Sequence, residues 1–356
     1  MRALCFADPH MREGRNGELK TGIQLFNCIN KTADRENCNA VFLIGDAWHE
    51  KYGVNYAVLT ALRKCLLKMA RNKLVYWIRG NHEVSIKSEP EKSLIELFEG
   101  LHKNLIIVNK PQPIFDQQYR YGIWMLPWYP AEDWIIHAEA MSRHAQACAI
   151  PNKILMTHIG LSEGTVSSSN IYTINHKTKL SHLHPWVWDF VLMGDYHVQQ
   201  FFHFNKVLYL GAPMQLAHGD VPDQGVFVLD LNGAKAVLTK VPIEGAETLP
   251  RYITYKFDLN QKMELQMLVE DPNNYVRLQV HPHLAHIARH FHSQSSRWSI
   301  EQLGVFKRSP LANNRMEGVQ ENDWFAILSI WLQEKGLLDQ VYLDTAMRYL
   351  TEVKGV

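Results

Sequence analysis

Apolar, β-rich runs that each end in metal-binding residue types, spaced one strand–helix–strand unit apart, constrain this chain more than any other feature. Ala3–Ala7 leads into Asp8-Pro9-His10. Ala40–Ile44 leads into Gly45-Asp46-Ala47-Trp48-His49, and Leu74–Ile78 into Gly80-Asn81-His82-Glu83. Asp46 follows Asp8 by 38 residues, and Asn81 follows Asp46 by 35. Each step suits a strand–helix–strand unit of ~30 or more residues. The runs are almost wholly apolar, as in strands covered on both faces. Right-handed crossovers would set these strands parallel and side by side, with their C-terminal ends on one edge. Open α/β sheets bind ligands at that edge. Between the runs, Leu25, Cys28 and Ile29 mark a short amphipathic face, and Tyr56, Leu59, Leu62, Leu66 and Met69 a longer one.

Further strands are expected at Leu105–Val108, Gly122–Leu126, Ile154–Met156, Phe190–Met193, Val207–Leu210 and Val226–Leu229. They are closer together and have fewer helices between them, which implies a second, mixed sheet packed on the first. Two of them end in Thr157-His158-Ile159-Gly160 and Gly194-Asp195-Tyr196-His197. Composition changes near Pro250. Tyr252–Phe257, Gln261–Val269 and Tyr275–Val280 read as strand, helix, strand. A polar stretch, Ser309 to Gln320, precedes two helical segments, Asp323–Lys335 and Leu337–Val353. The expected domains are therefore 1–249, 250–310 and 311–356. The fold class is α/β (α+β), with a small α/β module and a helical tail.

Carboxylate oxygens and imidazole nitrogens together suit manganese, iron or zinc better than magnesium or calcium. Seven or eight such groups are too many for one ion. Two ions sharing a carboxylate is the arrangement that activates water against a phosphate ester. Singly, each motif is weak: a lone Gly-Asp after a strand is more often a turn, and a lone His more often a core group. Five of them in order, all at strand ends, are not explained that way. The cluster His281, His283, His286, His290 and His292 is given no metal role.

The bulk numbers add limits. At 356 residues the chain exceeds one typical domain. With 46% hydrophobic and 21% charged residues it can bury a full core. A formal charge of +1 gives no global basic signature, although nucleic-acid binding needs only a local patch. The five cysteines contain no C-x-x-C pair and read as free thiols in a reducing compartment. No membrane-length apolar run or leader pattern is seen, so a cytoplasmic protein is expected.

The order D-x-H, G-D, G-N-H, H, G-x-x-H resembles the calcineurin-like metallophosphoesterase superfamily, which implies a four-layer α-β-β-α sandwich. The histidine three residues after the metal aspartate, Asp46 then His49, resembles the SbcD-type DNA repair nucleases. So does Tyr209-Leu210-Gly211-Ala212-Pro213, with Ala212 where Ser is common. The module after Pro250 is similar to their DNA-capping domain, and the tail to the segment that docks on a coiled-coil ATPase. The compact size and the Gly-Asp-Tyr-His variant resemble a phage recombination endonuclease small subunit, which implies a host cytoplasm if the chain is phage-encoded. The specific motifs lie within residues 1–215.

The resemblance implies two Mn2+, with Mg2+, Fe2+ or Zn2+ as other candidates. Asp8, His10, Asp46 and His197 would hold one ion. Asp46, Asn81, His158 and Asp195 would hold the other. His82 is then the proton donor or charge stabiliser, and His49 orients the phosphate or terminal nucleotide. Arg12, Arg15 and Lys20, read as one Gly-containing loop, are candidate DNA contacts. The family usually has His where this chain has Asp195, which adds negative charge at the metal. The implied activity is 3′-to-5′ double-strand exonuclease and single-strand endonuclease in recombination and repair. The implied partners are DNA, an SbcC-like ATPase and a second copy of the chain as a homodimer. The alternatives are a small-molecule phosphoesterase, such as a nucleotidase or cyclic-nucleotide phosphodiesterase, and a non-catalytic DNA-end scaffold.

Overall fold

The computed structural model describes residues 1–14, 18–51, 53–85, 89–116, 118, 120–165, 177–222, 225–256, 274–280 and 298–302. The chain divides into two compact units, Met1–Glu301 and Gln302–Val356. The expected tail helices lie outside the described residues, as do the 261–269 helix and the His281–His292 cluster.

The first unit opens with β1 (Arg2–Phe6), α1 (Glu18–Arg35), β2 (Ala40–Ile44), α2 (Tyr56–Ala70), β3 (Leu74–Ile78) and β4 (Leu105–Val108). These strands are parallel neighbours in the order β1-β2-β3-β4. The spacing predicts this for β1, β2 and β3, whereas β4, expected in the second sheet, pairs with β3 in the first. Next come β5 (Gln112–Phe115), β6 (Tyr121–Leu126), α3 (Ala131–Ala147), β7 (Asn152–His158), β8 (Phe190–Gly194), β9 (Gln200–Phe202) and β10 (Val207–Tyr209). They make a second mixed sheet in the order β5-β6-β7-β8-β10-β9. The chain returns through β11 (Val226–Asp230) and β12 (Val237–Val241), which extend the first sheet antiparallel beside β1. This corrects the expectation that Val226–Leu229 belongs to the second sheet: the strand order follows the pairing with β1, which closeness in sequence does not reveal. A three-stranded sheet follows, formed by β13 (Arg251–Lys256), β14 (Asn274–Val280) and β15 (Trp298–Gln302). Its β13 and β14 are parallel.

Side-chain alternation along the strands builds the layers. On one face of the first sheet, Leu4, Phe6, Val41, Leu43, Val75 and Trp77 pack on α1 and α2 residues such as Phe26, Ile29, Leu62 and Leu66. On the other face, Cys5, Phe42, Ile44 and Ile78 meet Ile123, Met125, Ile154, Met156 and Leu192 of the second sheet. The outer face of that sheet, with Trp124, Leu155, Val191 and Met193, is covered by Trp134, Ala138, Met141 and Ala145 of α3. This is a four-layer α-β-β-α sandwich.

Three details differ from the sequence reading. Lys20 is an exposed residue in the first turn of α1, not part of a loop, because the apolar face of that helix starts near Leu19 and Gly22 rather than at Leu25. Tyr56 is 81% exposed, because the buried face of α2 centres on Val58, Leu62, Cys65 and Met69. Helix α3 and the edge strands β5, β9 and β12 were not anticipated. All five cysteines are free. No described helix is long and apolar enough to cross a membrane.

Candidate metal centre

The five motifs converge at the C-terminal edges of β1, β2, β3, β7 and β8. The pairing of β1 and β2 continues beyond the strands. Asp8 N–H donates to Gly45 O (3.2 Å), His10 N–H to Asp46 O (3.1 Å), Met11 N–H to Ala47 O (2.9 Å) and His49 N–H to Met11 O (3.1 Å). These bonds place His10 and His49 side by side, with ring centroids 5.4 Å apart. Asp8, His10, Asp46 and Asp195 all have left-handed backbones, at φ of 55°, 44°, 55° and 105°. Such conformations cost about 1–3 kcal/mol each and collect at functional sites. Gly45, at φ 82°, lies against the His158 ring, and a Cβ there would stand 2.1 Å from Nδ1.

His158 is fully buried, and its Nδ1 lies 2.9 Å from Ile44 O. A carbonyl only accepts, so Nδ1 carries a proton, and Nε2 faces the cluster. Nε2 lies 3.4 Å from Asp46 Oδ1, 3.7 Å from Asp195 Oδ1 and 4.0 Å from Asp8 Oδ1. It closes no hydrogen bond, and neither does the buried Oδ1 of Asn81. The Asn81 amide Nδ2 donates to Asp195 Oδ1 (3.1 Å), and Asp195 N–H donates to Asp8 Oδ1 (3.1 Å). On the other side of Asp46, Oδ2 lies 3.7 Å from His10 Nε2, which is 3.0 Å from His197 Nε2. Asp46 thus turns one oxygen to each half of the cluster.

Among the protein groups alone, burial holds the Asp8 carboxyl well above its usual range. Burial also opposes charge on Asp46, but His158, His82 and His10 outweigh it and hold that carboxyl very low. Burial likewise opposes a cationic His158, yet Asp46, Asp8 and Asp195 raise it well above the ordinary imidazole value. Burial pushes His10 down, which favours the neutral ligand form. Among the described residues, ligand-type atoms group within 4.8 Å in three sets: Asp8–His10–His197, Asp8–Asp46–His158 and His10–His49–His82. Unpartnered buried donor atoms, mixed oxygen and imidazole groups, and a shared carboxylate fit a pair of divalent cations.

His82 N–H donates to Asp46 Oδ1 (2.9 Å), its Nδ1 contacts the His49 carbonyl, and its Nε2 lies 3.6 Å from Asp46 Oδ2. Among the candidate DNA contacts, Arg12 is half-buried and donates to Leu216 O (3.2 Å) and Tyr252 Oη (3.5 Å). That ties the loop after β1 to β13 and leaves less of the guanidinium for phosphate. Arg15 lies outside the described residues.

Three contributors went unrecognised in the sequence. The Glu83 carboxylate is buried and accepts N–H from Gly80 (2.6 Å), Asp46 (3.0 Å) and Ala47 (2.6 Å), joining the loops after β2 and β3. Trp48 donates from Nε1 to His82 O (3.0 Å) and packs edge-on against Trp77. Arg79, fully buried, donates to Asn109 O and Trp128 O (both 2.6 Å), clamping the β3 end to both sheets. A Glu three residues after a glycine, and an Arg closing an apolar strand, were the available signals. Both of the Glu83 oxygens accept, so Glu83→Gln must turn an NH2 toward a backbone N–H. We expect it to destabilise the fold by about 1–3 kcal/mol in urea unfolding. Unchanged stability would show that the three bonds are dispensable.

This fold and these donors define a metal-dependent phosphoester hydrolase. A family model described as calcineurin-like phosphoesterase matches residues 1–233. The chain belongs to that family, whose members use a dimetal centre. No curated protein sequence matches the chain. Similar solved structures include a dimetal phosphatase from Danio rerio, with 12% identity, 68% of this chain and 98% of that one covered, and a TM-score of 0.43. GAP50, the anchor in the inner membrane complex of Plasmodium, shows 11% identity, 77% and 96% coverage and a TM-score of 0.44. Yfce, a phosphoesterase from E. coli, shows 13% identity, 68% and 100% coverage and a TM-score of 0.31. Likenesses this distant add nothing to the family match.

Proposed function

We propose that this chain is a manganese-dependent DNA nuclease subunit, acting as a 3′-to-5′ exonuclease on duplex ends and an endonuclease on single strands. The observation that carries this reading is His49. It sits three residues after Asp46, as in the SbcD-type pattern, and lies beside both His10 and His82. The sheet beyond Pro250 also borders the centre. Tyr252 bonds Gln215 through its backbone, with Tyr252 N–H to Gln215 Oε1 at 3.0 Å, and Arg12 reaches its hydroxyl.

In this reading Asp8, His10, His197 and Asp46 would hold one cation, and His158, Asn81, Asp195 and Asp46 the second. Once bound, the pair would supply an activated water and neutralise charge on the phosphate. The protein's own part is positioning and proton transfer. The His49 carbonyl holds Nδ1–H of His82, and Nε2 gives its proton to the departing oxygen from the cationic ring, a form that burial opposes and Asp46 favours. The His49 ring orients the scissile phosphate. Residues 311–356 dock on an SbcC-like ATPase, and two copies of the chain pair as a homodimer in a cytoplasmic complex.

The test is to incubate purified protein and Mn2+ with end-labelled duplex DNA, single-stranded circles, mononucleotides and cyclic nucleotides. Shortening of duplex ends and nicking of circles are expected, with little turnover of mononucleotides. Efficient cleavage of small substrates with DNA left intact would establish a small-molecule phosphoesterase instead. DNA retention without manganese-dependent cleavage would establish a scaffold.

A further inference from the structure

Asp195 makes the two halves of the centre chemically unequal. Around His158 Nε2 lie three carboxylate oxygens, from Asp46 at 3.4 Å, Asp195 at 3.7 Å and Asp8 at 4.0 Å. The Asn81 side chain joins them, bonded to Asp195 Oδ1 and with its own buried Oδ1 making no hydrogen bond. This half offers oxygens and a single imidazole. The half around His10 offers two imidazoles 3.0 Å apart, with Asp46 Oδ2 at 3.7 Å and Asp8 in the same group. Two further imidazoles, of His49 and His82, border it.

We infer that the two cation positions select different metals: a hard ion such as Mn2+ or Mg2+ at the His158–Asp195 position, and a borderline ion such as Zn2+ or Fe2+ at the His10–His197 position. The inference rests on the ligand assignment proposed above. Carboxylate and amide oxygens suit the harder ions, and imidazole the borderline ones. Asp195 is the deciding residue. As an imidazole it would make the two halves alike in nitrogen content. As a carboxylate it adds one negative charge and one hard donor to one half only. Its left-handed backbone, at φ 105°, is one that Asp tolerates better than most residues.

Zinc outranks manganese at nearly any nitrogen or oxygen site, so selectivity shows as a difference between positions rather than as exclusion. The experiment loads the full chain with Mn2+, counts the metal by elemental analysis, and then titrates Zn2+ while following released Mn2+ by electron paramagnetic resonance. Two Mn2+ per chain are expected, leaving in two phases whose zinc midpoints differ at least about tenfold, the spread expected between an oxygen-rich and a nitrogen-rich site. Asp195→His should bring the second phase toward the first. Asp195→Asn keeps the shape, removes the charge and should close part of the gap. A single release phase in the unaltered chain would overturn the proposal. So would a gap that survives both substitutions. Fewer than two Mn2+ at the start would instead remove the ligand assignment on which the proposal stands.

Discussion

Asp46→Ala is expected to lower metal-dependent phosphodiester cleavage on the order of 10⁴-fold or more, with the fold intact. Asp46 is 2% exposed, and its two oxygens face different partners, His158 and His10. Its removal takes a donor from both halves of the centre at once. The structural cost is small by comparison. The His82 backbone N–H loses its acceptor, worth about 1 kcal/mol. The attraction of Asp46 to His158, His82 and His10 is also lost, and relief of its repulsion with Asp8 and Asp195 offsets it. Circular dichroism and the thermal midpoint should therefore stay close to those of the unaltered chain. Normal turnover in a correctly folded Asp46→Ala protein would remove the shared-carboxylate account.

The second large effect concerns proton transfer. His82→Ala should cut the rate by about 10²–10⁴-fold, the range for loss of a positioned general acid. Both ions should remain bound. The loss should be smaller for a DNA analogue with an activated leaving group, which needs no proton. His49→Ala is a milder change, because the contact that orients His82 comes from the His49 backbone carbonyl and survives the substitution. Metal counting decides between this account and its nearest competitor. His10, His49 and His82 also lie close enough together to share an ion. Loss of an ion from His82→Ala would move that residue into the coordination sphere and leave the donor role vacant.

The sequence discloses this protein unevenly. The strands that carry the site are buried on both faces, so β1, β2 and β3 stand out as apolar runs with their ligand motifs just beyond. Edge strands lack that signature. β5 contains Pro113, β12 is largely exposed, and β9 has only three residues. Helix α3 is muted because its buried stripe is Trp134, Ala138, Met141 and Ala145, with two alanines in place of larger apolar residues. Its first turn does carry Glu132 and Asp133, a start signal that goes unused. Among site residues, the candidate ligands are legible because chemistry fixes their type and strand ends fix their place. Glu83 and Arg79 are not, because they act on backbone groups from distant segments. The Glu83 bonds to Asp46 and Ala47 span 37 and 36 residues. Lys20 was misplaced because Gly17 reads as loop and the helix begins immediately after it.

The most direct test of the central claim, a two-cation phosphodiester hydrolase built on Asp46, is hydrolysis of bis(4-nitrophenyl) phosphate by chelator-stripped protein, with bound metal counted in the same samples. The account predicts no turnover after stripping, and recovery on adding Mn2+ that saturates as the second ion binds. Turnover that survives complete metal removal, or none at all with two ions bound, would contradict it.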